Sequence, residues 1–165
     1  MKQQKLLRLL REMLKDSKRS DREIAKRLGV SQPTVTRTRA LLEKDYIRTY
    51  TVIPDLVKLG YQILAFTFLK MKSYRSKEEA DKMLRKAKEW TDKHPNVIFA
   101  ADGEGFGKDL VIVSFHKDYP SYSDFMRTLA LEWSEAIGEL GSFLVSIGSG
   151  FEIKPFDLKY LANDI

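Results

Sequence analysis

The sequence predicts an α+β fold in two parts, a three-helix module followed by a domain of order β-α-β-β-α-β, and three observations carry that prediction. Helical apolar spacing, two capping signals and a glycine turn occupy the first fifty residues. After Tyr61, strand-like runs alternate with two amphipathic helices. The charge divides at the same place: residues 1–50 hold 14 Lys and Arg against 6 Asp and Glu, an excess of +8, and the remainder carries −2. A basic module joined to a near-neutral one suits a polyanionic partner for the first.

Each element of the first part has its own signal. Leu6, Leu7, Leu9, Leu10, Met13 and Leu14 recur at helical spacing over residues 2–15 and need a packing partner. Ser20 and Glu23 form a capping box that opens a second helix over residues 21–28, with Ile24, Ala25 and Leu28 inward. Gly29 follows, where a left-handed turn disfavours side chains. Ser31 caps a third helix reaching Lys44, with Pro33 in its first turn.

Small Ala25, Gly29 at the turn, and Val30 and Val35 beyond it meet the needs of a helix-turn-helix, whose two helices cross closely. With Val35, Leu41 and Leu42 turned to the core, the outer face of the third helix presents Gln32, Thr34, Thr36, Arg37 and Lys44. Arg bonds guanine O6 and N7, Gln pairs with adenine, and a Thr methyl meets the thymine methyl. Arg22, Lys26, Arg27 and Ser31 are placed to hold phosphates and fix register. The competing reading is a three-helix bundle with a solvated polar face.

The stretch SDREIAKRLGVSQPTVTRTRALLEKDYIRTYTVIPDLVKLGY resembles the helix-turn-helix and linker of the Lrp/AsnC transcriptional regulators of bacteria and archaea. Arg39 stands where that family is usually apolar. Either the third helix is rotated with Thr38 inward, or Arg39 extends toward a phosphate. Asp45 replaces a usual glycine and tolerates a left-handed cap.

Residues 46–53, YIRTYTVI, are expected to be extended, as a wing or an exit strand. Pro54 ends them and Gly60 closes a short helical turn. We expect a DNA-binding domain over residues 1–53, a linker over 54–60 and a ferredoxin-like domain over 61–165. In the strand YQILAFTFLKM, Ile63, Ala65, Thr67 and Leu69 face one way and Leu64, Phe66 and Phe68 the other, so both faces need cover.

A helix follows Ser76 and Glu79 with Ala80, Met83, Leu84, Ala87 and Trp90 as its stripe, and NVIFAAD and LVIVSFH are strands joined by GEGFGKD. A second helix carries Phe125, Met126, Leu129, Trp133, Ala136 and Ile137, and SFLVSIGSGFEI is the last strand. With both helices on one side of the sheet, Leu64, Phe66 and Phe68 would form an exposed apolar patch, and a second copy of the chain is its simplest cover.

HPNVIFAADGEGFGKDLVIV is similar to the strand-hairpin-strand of the family's effector domain. The resemblance implies a homodimer, assembled further into tetramers or octamers, that binds double-stranded DNA and answers to a small effector such as an amino acid. Glycine amides of Gly103, Gly105 and Gly107 would hold its carboxylate, and Asp102 or Asp109 its ammonium group. Two alternatives share the architecture: a DNA-packaging protein indifferent to metabolites, and an enzyme like the sirohaem decarboxylases, whose His-Asn-Tyr and Trp-Phe-Thr rich signature does not occur here.

Composition limits other classes. Without Cys there are no disulfides, thiolate nucleophiles or Cys-based zinc sites, which fits a reducing cytoplasm. Arg8, Arg11 and Glu12 interrupt what would be a signal peptide's apolar region, and the apolar run 63–69 is too short to cross a bilayer. GEGFGKD does not suit a phosphate loop, because Asp109 follows Lys108 where Ser or Thr is needed and a strand follows where a helix is needed. His94 and His116 lack a second ligand at helical spacing and are expected at the surface or a strand end. No metal, cofactor or catalytic group is expected.

Overall fold

The structure, a computed structural model, describes residues 2–72, 76–150 and 153–165. Three helices come first: α1 (Lys2–Lys15), α2 (Asp21–Leu28) and α3 (Gln32–Asp45). They are followed by β1 (Ile63–Met71), α4 (Lys77–Asp92), β2 (Val97–Gly105), β3 (Lys108–His116), α5 (Tyr119–Glu132), β4 (Ile137–Ser146) and a 3₁₀ helix (Leu158–Asn163). The chain divides into two compact units, residues 1–53 with 154–165, and residues 54–153.

In the first unit, Ser20 accepts from the Glu23 amide while the Glu23 carboxylate accepts from the Ser20 amide, satisfying two donors at the start of α2. Gly29 ends α2 at φ +66, a left-handed cap that a Cβ would strain. The apolar faces of the three helices close on Leu9, Met13, Ile24, Ala25, Val35 and Leu42, all buried. Each of these side chains larger than Ala25 contributes roughly 1.5–3 kcal/mol through burial. Leu41, expected inside with Val35 and Leu42, is instead 37% exposed. One helical step from Leu42, it falls outside the stripe that α1 and α2 cover.

Two further expectations change. Residues 47–53 form neither helix nor strand, so there is neither a paired wing nor an exit strand. The tail, expected with the second domain, packs on α1 through the 3₁₀ helix, where Arg11 Nε donates to the backbone oxygen of Ile165.

In the second unit, the sheet order is β2-β3-β1-β4 and every pairing is antiparallel. Both helices cover one face. There Leu69, Trp90, Ile112, Phe125, Leu129 and Trp133 form the core, and Thr67 meets Ser142 at 2.8 Å between hydroxyls. β4 begins at Ile137, a residue whose spacing predicts the second helix: α5 stops at Glu132 and the chain turns over 133–136. The strand ends at Ser146; of the stretch expected to continue it, residues 151 and 152 lie outside the described residues.

His116 is the last residue of β3, the strand-end position expected of it, but it is buried in the core, 3% exposed. Its Nε2 lies 2.8 Å from Ser114 Oγ, and burial lowers its pKa from the ordinary histidine value. His94 stacks on Trp90 with ring centroids 3.8 Å apart.

The opposite sheet face is open. Leu64, Phe66 and Phe68 sit there beside Phe115, Val113 and Val111 of β3, and Phe143 and Phe99 are 66% and 54% exposed. The β2–β3 connection is shorter than the GEGFGKD segment suggested. Gly105 pairs with Lys108 across a two-residue turn of Phe106 (φ +52) and Gly107 (φ +68), the geometry of a type I′ hairpin.

Candidate nucleic-acid interface

Gln32, Thr36 and Arg37 lie exposed on one face of α3, together with Pro33 and Ala40, and these five line a shallow surface. Lys44 continues the row two turns on. Pro33 and Ala40 were not anticipated; their spacing to Arg37 and Thr36 is the signal that would have found them. A small Ala40 lets a bulky partner approach the helix closely.

Thr34 does not share this face. It is half-buried, lines a crevice with Lys5, Arg8 and Leu28, and its Oγ1 lies 2.8 Å from Ser31 Oγ. Thr38 turns toward α1 as well, with its hydroxyl donating to the Thr34 carbonyl at 2.7 Å. Ser31 occupies the cap position of α3 without a side-chain bond to the helix amides. Uncapped amides at an exposed helix start suit a phosphate oxygen.

Among the described residues Arg22, Lys26, Arg37 and Lys44 form no ion pair and are exposed. Arg27 is 57% exposed and reaches Glu12 only at 3.9 Å. These cations are available to an external anion at little desolvation cost. Arg39 differs, since its Nε meets Asp21 Oδ1 at 2.7 Å and its Nη2 donates to the Arg19 carbonyl at 3.3 Å. It is a clamp between α3 and the start of α2, so its geometry argues against the phosphate role expected of it.

Asp21 is the functional residue that sequence reasoning missed. Its other carboxylate oxygen accepts from Thr36 Oγ1 at 2.6 Å, so one side chain of α2 orients both a residue of the exposed α3 face and the arginine behind it. The Thr36 hydroxyl and then Arg39 hold the Asp21 carboxyl below its ordinary pKa. No local pattern reveals these partners, which lie 15 and 18 residues away.

The residues expected to hold an effector are only partly brought together. Asp102, Gly103 and Asp109 share an open groove with Lys70, Met71 and Lys72, whereas Gly105 and Gly107 lie outside it at the hairpin end. Asp109 is already engaged: it accepts from Lys70 Nζ at 2.8 Å and from the Met71 amide at 2.9 Å, the Lys70 bond first and the amide second lowering its pKa. The β1–β4 register shifts between Lys70 and Met71, and Asp109 pins that irregularity.

Residues 7–43 match the AsnC-type helix-turn-helix domain. The transcriptional regulator FL11 of Pyrococcus furiosus is 29% identical over 113 residues, 68% of this chain and 69% of that one. The regulator LrpA of Pyrococcus horikoshii is 36% identical over 76 residues, 46% of this chain and 54% of its own length. An AsnC family regulator from Agrobacterium tumefaciens has the same fold, with a TM-score of 0.74 at 21% identity over 93% of this chain and 95% of that one. A Neisseria meningitidis transcriptional regulator, solved as a complex with L-Met, aligns with a TM-score of 0.71 at 16% identity over 94% of this chain and 96% of that one. The matched helices are those that form the interface described above, so the chain carries an AsnC-type helix-turn-helix domain, its relatives are HTH-type transcriptional regulators, and it shares along nearly its whole length the fold of an AsnC family regulator.

Proposed function

We propose that this protein is a sequence-specific DNA-binding transcriptional regulator that acts as a dimer or higher assembly and answers to a small effector. The observation that carries the proposal is the α3 face, where Gln32, Thr36 and Arg37 stand exposed beside unpaired Lys26 and Arg22. Arg37 and Gln32 read base edges in the major groove, and Lys26, Arg22, Arg27 and the start of α3 hold the backbone. Fluorescence-anisotropy titrations test this. Affinity for duplex DNA falls with salt by a slope of about −0.9 per neutralised phosphate. Arg37→Ala loses about 1–3 kcal/mol on specific sites and relaxes one position, while Lys26→Ala weakens all sequences alike. Salt-independent binding, or indistinguishable mutants, would reject this assignment.

The open sheet face supports the dimer. Its apolar residues are too many for a lone domain in water, and a two-fold partner would present two α3 helices to half-sites about 10 bp apart or a multiple of it. The effector reading draws on the L-Met complex of the Neisseria regulator. In the hairpin groove Asp102, with Glu104 beside it, is the carboxylate available to an ammonium group, because Asp109 is committed to Lys70. A thermal-shift screen of the amino acids checks it, with a hit expected to weaken in Asp102→Ala.

A further inference from the structure

Apart from the hairpin groove, the second unit holds a cavity of about 240 Å³ between α4, α5 and the helix-covered face of the sheet. Its wall is mostly apolar: Leu69, Leu110 and Ile112 from the strands, Met83 and Ala87 from α4, Leu129 from α5. Two exposed carboxylates also line it, Asp81 on α4 and Asp102 on β2. Neither has an ion-pair partner among the described residues. On the α5 side the wall includes Trp133, whose buried indole N–H has no acceptor among the described residues. An apolar void forfeits packing and an unmet donor forfeits a hydrogen bond, so two costs to stability coincide at one place. Such coincidences mark sites kept for something other than stability.

We propose that this cavity binds a small primary amine with a compact apolar body. The size sets the body: a void of about 150 Å³ accepts benzene, so the larger space here takes a branched aliphatic or single aromatic ring with a short stem. The charge sets the head group. Asp81 of α4 and Asp102 of β2 both line the cavity, and an ammonium ion held between them gains charge-assisted bonds to both. An anionic or neutral molecule of the same shape gains neither of these bonds and could at most accept from the Trp133 N–H. The pocket lies wholly within the second unit and is built from residues other than Gly103 and Asp109 of the hairpin groove, sharing Met71 and Asp102 with it.

Both tryptophans of the chain, Trp90 and Trp133, are in the cavity wall, so intrinsic fluorescence reports occupancy directly. The full chain is titrated with 2-phenylethylamine, 2-phenylethanol and 3-phenylpropionate. The amine is expected to give a saturable fluorescence change and a rise in Tm, the alcohol at least tenfold weaker binding, and the carboxylate none. Asp81→Asn should abolish the preference for amine over alcohol while leaving the alcohol's weak binding in place. Ala87→Phe fills the void and should remove all three responses; its own Tm, measured without ligand, shows that it is folded. A further control, Leu84→Phe, narrows the same wall if Ala87→Phe does not fold. No response to the amine, equal binding of amine and alcohol, or a response kept in the filled variants overturns the proposal. An amine response lost in Asp109→Ala but intact in Ala87→Phe would assign the amine to the hairpin groove, and so would also overturn it. Amino-acid binding that depends on Asp102 and survives Asp81→Asn and Ala87→Phe would leave the hairpin reading standing alone.

Discussion

The two units use apolar residues in opposite ways. In the first, Leu9, Met13, Ile24, Val35 and Leu42 are all turned inward, and the exposed face of α3 is left to Gln32, Thr36 and Arg37. In the second, β1 alternates strictly: Ala65, Thr67 and Leu69 are buried under the helices, while Leu64, Phe66 and Phe68 lie on the open face with Phe99 and Phe143. A surface meant for a polyanion needs free cations and an internally satisfied scaffold. A surface meant for a second protein needs apolar area that its own fold leaves uncovered. The difference teaches that the first unit satisfies its own apolar residues, while the second leaves an apolar sheet face uncovered.

The comparison breaks most easily at the sheet. Phe66 lies centrally on the open face, opposite Val113 on one side and Phe143 on the other. Phe66→Asp would bury a carboxylate without a partner, at a cost of at least about 2 kcal/mol, roughly a 30-fold rise in the dimer dissociation constant. Light scattering should show monomer where the wild type shows dimer, while the melting of the first unit is unchanged. A dimer indifferent to that charge would mean the open face is not the interface.

On the other side of the comparison, the scaffold of the DNA reader depends on Asp21. Asp21→Ala removes the acceptor of both Thr36 and Arg39, and a loss of about 1–3 kcal/mol is expected. Arg39→Leu in that background should recover much of it, because two apolar groups leave no buried charge unpaired. The pKa of Asp21 is lower folded than unfolded, so its contribution is present above the ordinary value of 3.8 and is lost as pH falls through the lower folded value. The difference in Tm between wild type and Asp21→Ala should shrink as pH falls below 3.8. Persistent divergence at the acid end would show that the carboxylate's charge is not what matters.

These two regions were unequally legible in the sequence. Ser20 with Glu23, and Gly29 after Leu28, are local signals, and they place α2 and its turn to the residue. Thr34 was misassigned because helical spacing alone does not fix where α1 crosses, and α1 covers the side on which Thr34 lies. The Asp21 clamp joins residues far apart in sequence, and the cavity wall is drawn from six elements. Neither leaves a periodic trace. At the hairpin the glycines suggested a loop, whereas strand pairing continues to Gly105 and leaves only Phe106 and Gly107 to turn.

Phe106 yields the smallest effect and the sharpest one. A bulky residue at φ +52 is strained, since its Cβ crowds the backbone in the left-handed region, and at 92% exposure it gains little from burial in return. Its ring is not idle, however: it meets Phe68 edge-on, with centroids 6.2 Å apart, and so extends the open sheet face. Phe106→Asn keeps the turn type and removes the strain, and should stabilise the folded second unit by about 0.5–1 kcal/mol. The same change removes an aromatic ring from the rim of the apolar face and should weaken dimerisation. Chemical denaturation of the Phe66→Asp monomer, with and without Phe106→Asn, reads the first effect. Sedimentation of the single mutant against wild type reads the second. Opposite signs would show that this hairpin accepts local strain to enlarge a surface for a partner, and equal signs would reduce Phe106 to a poor turn residue.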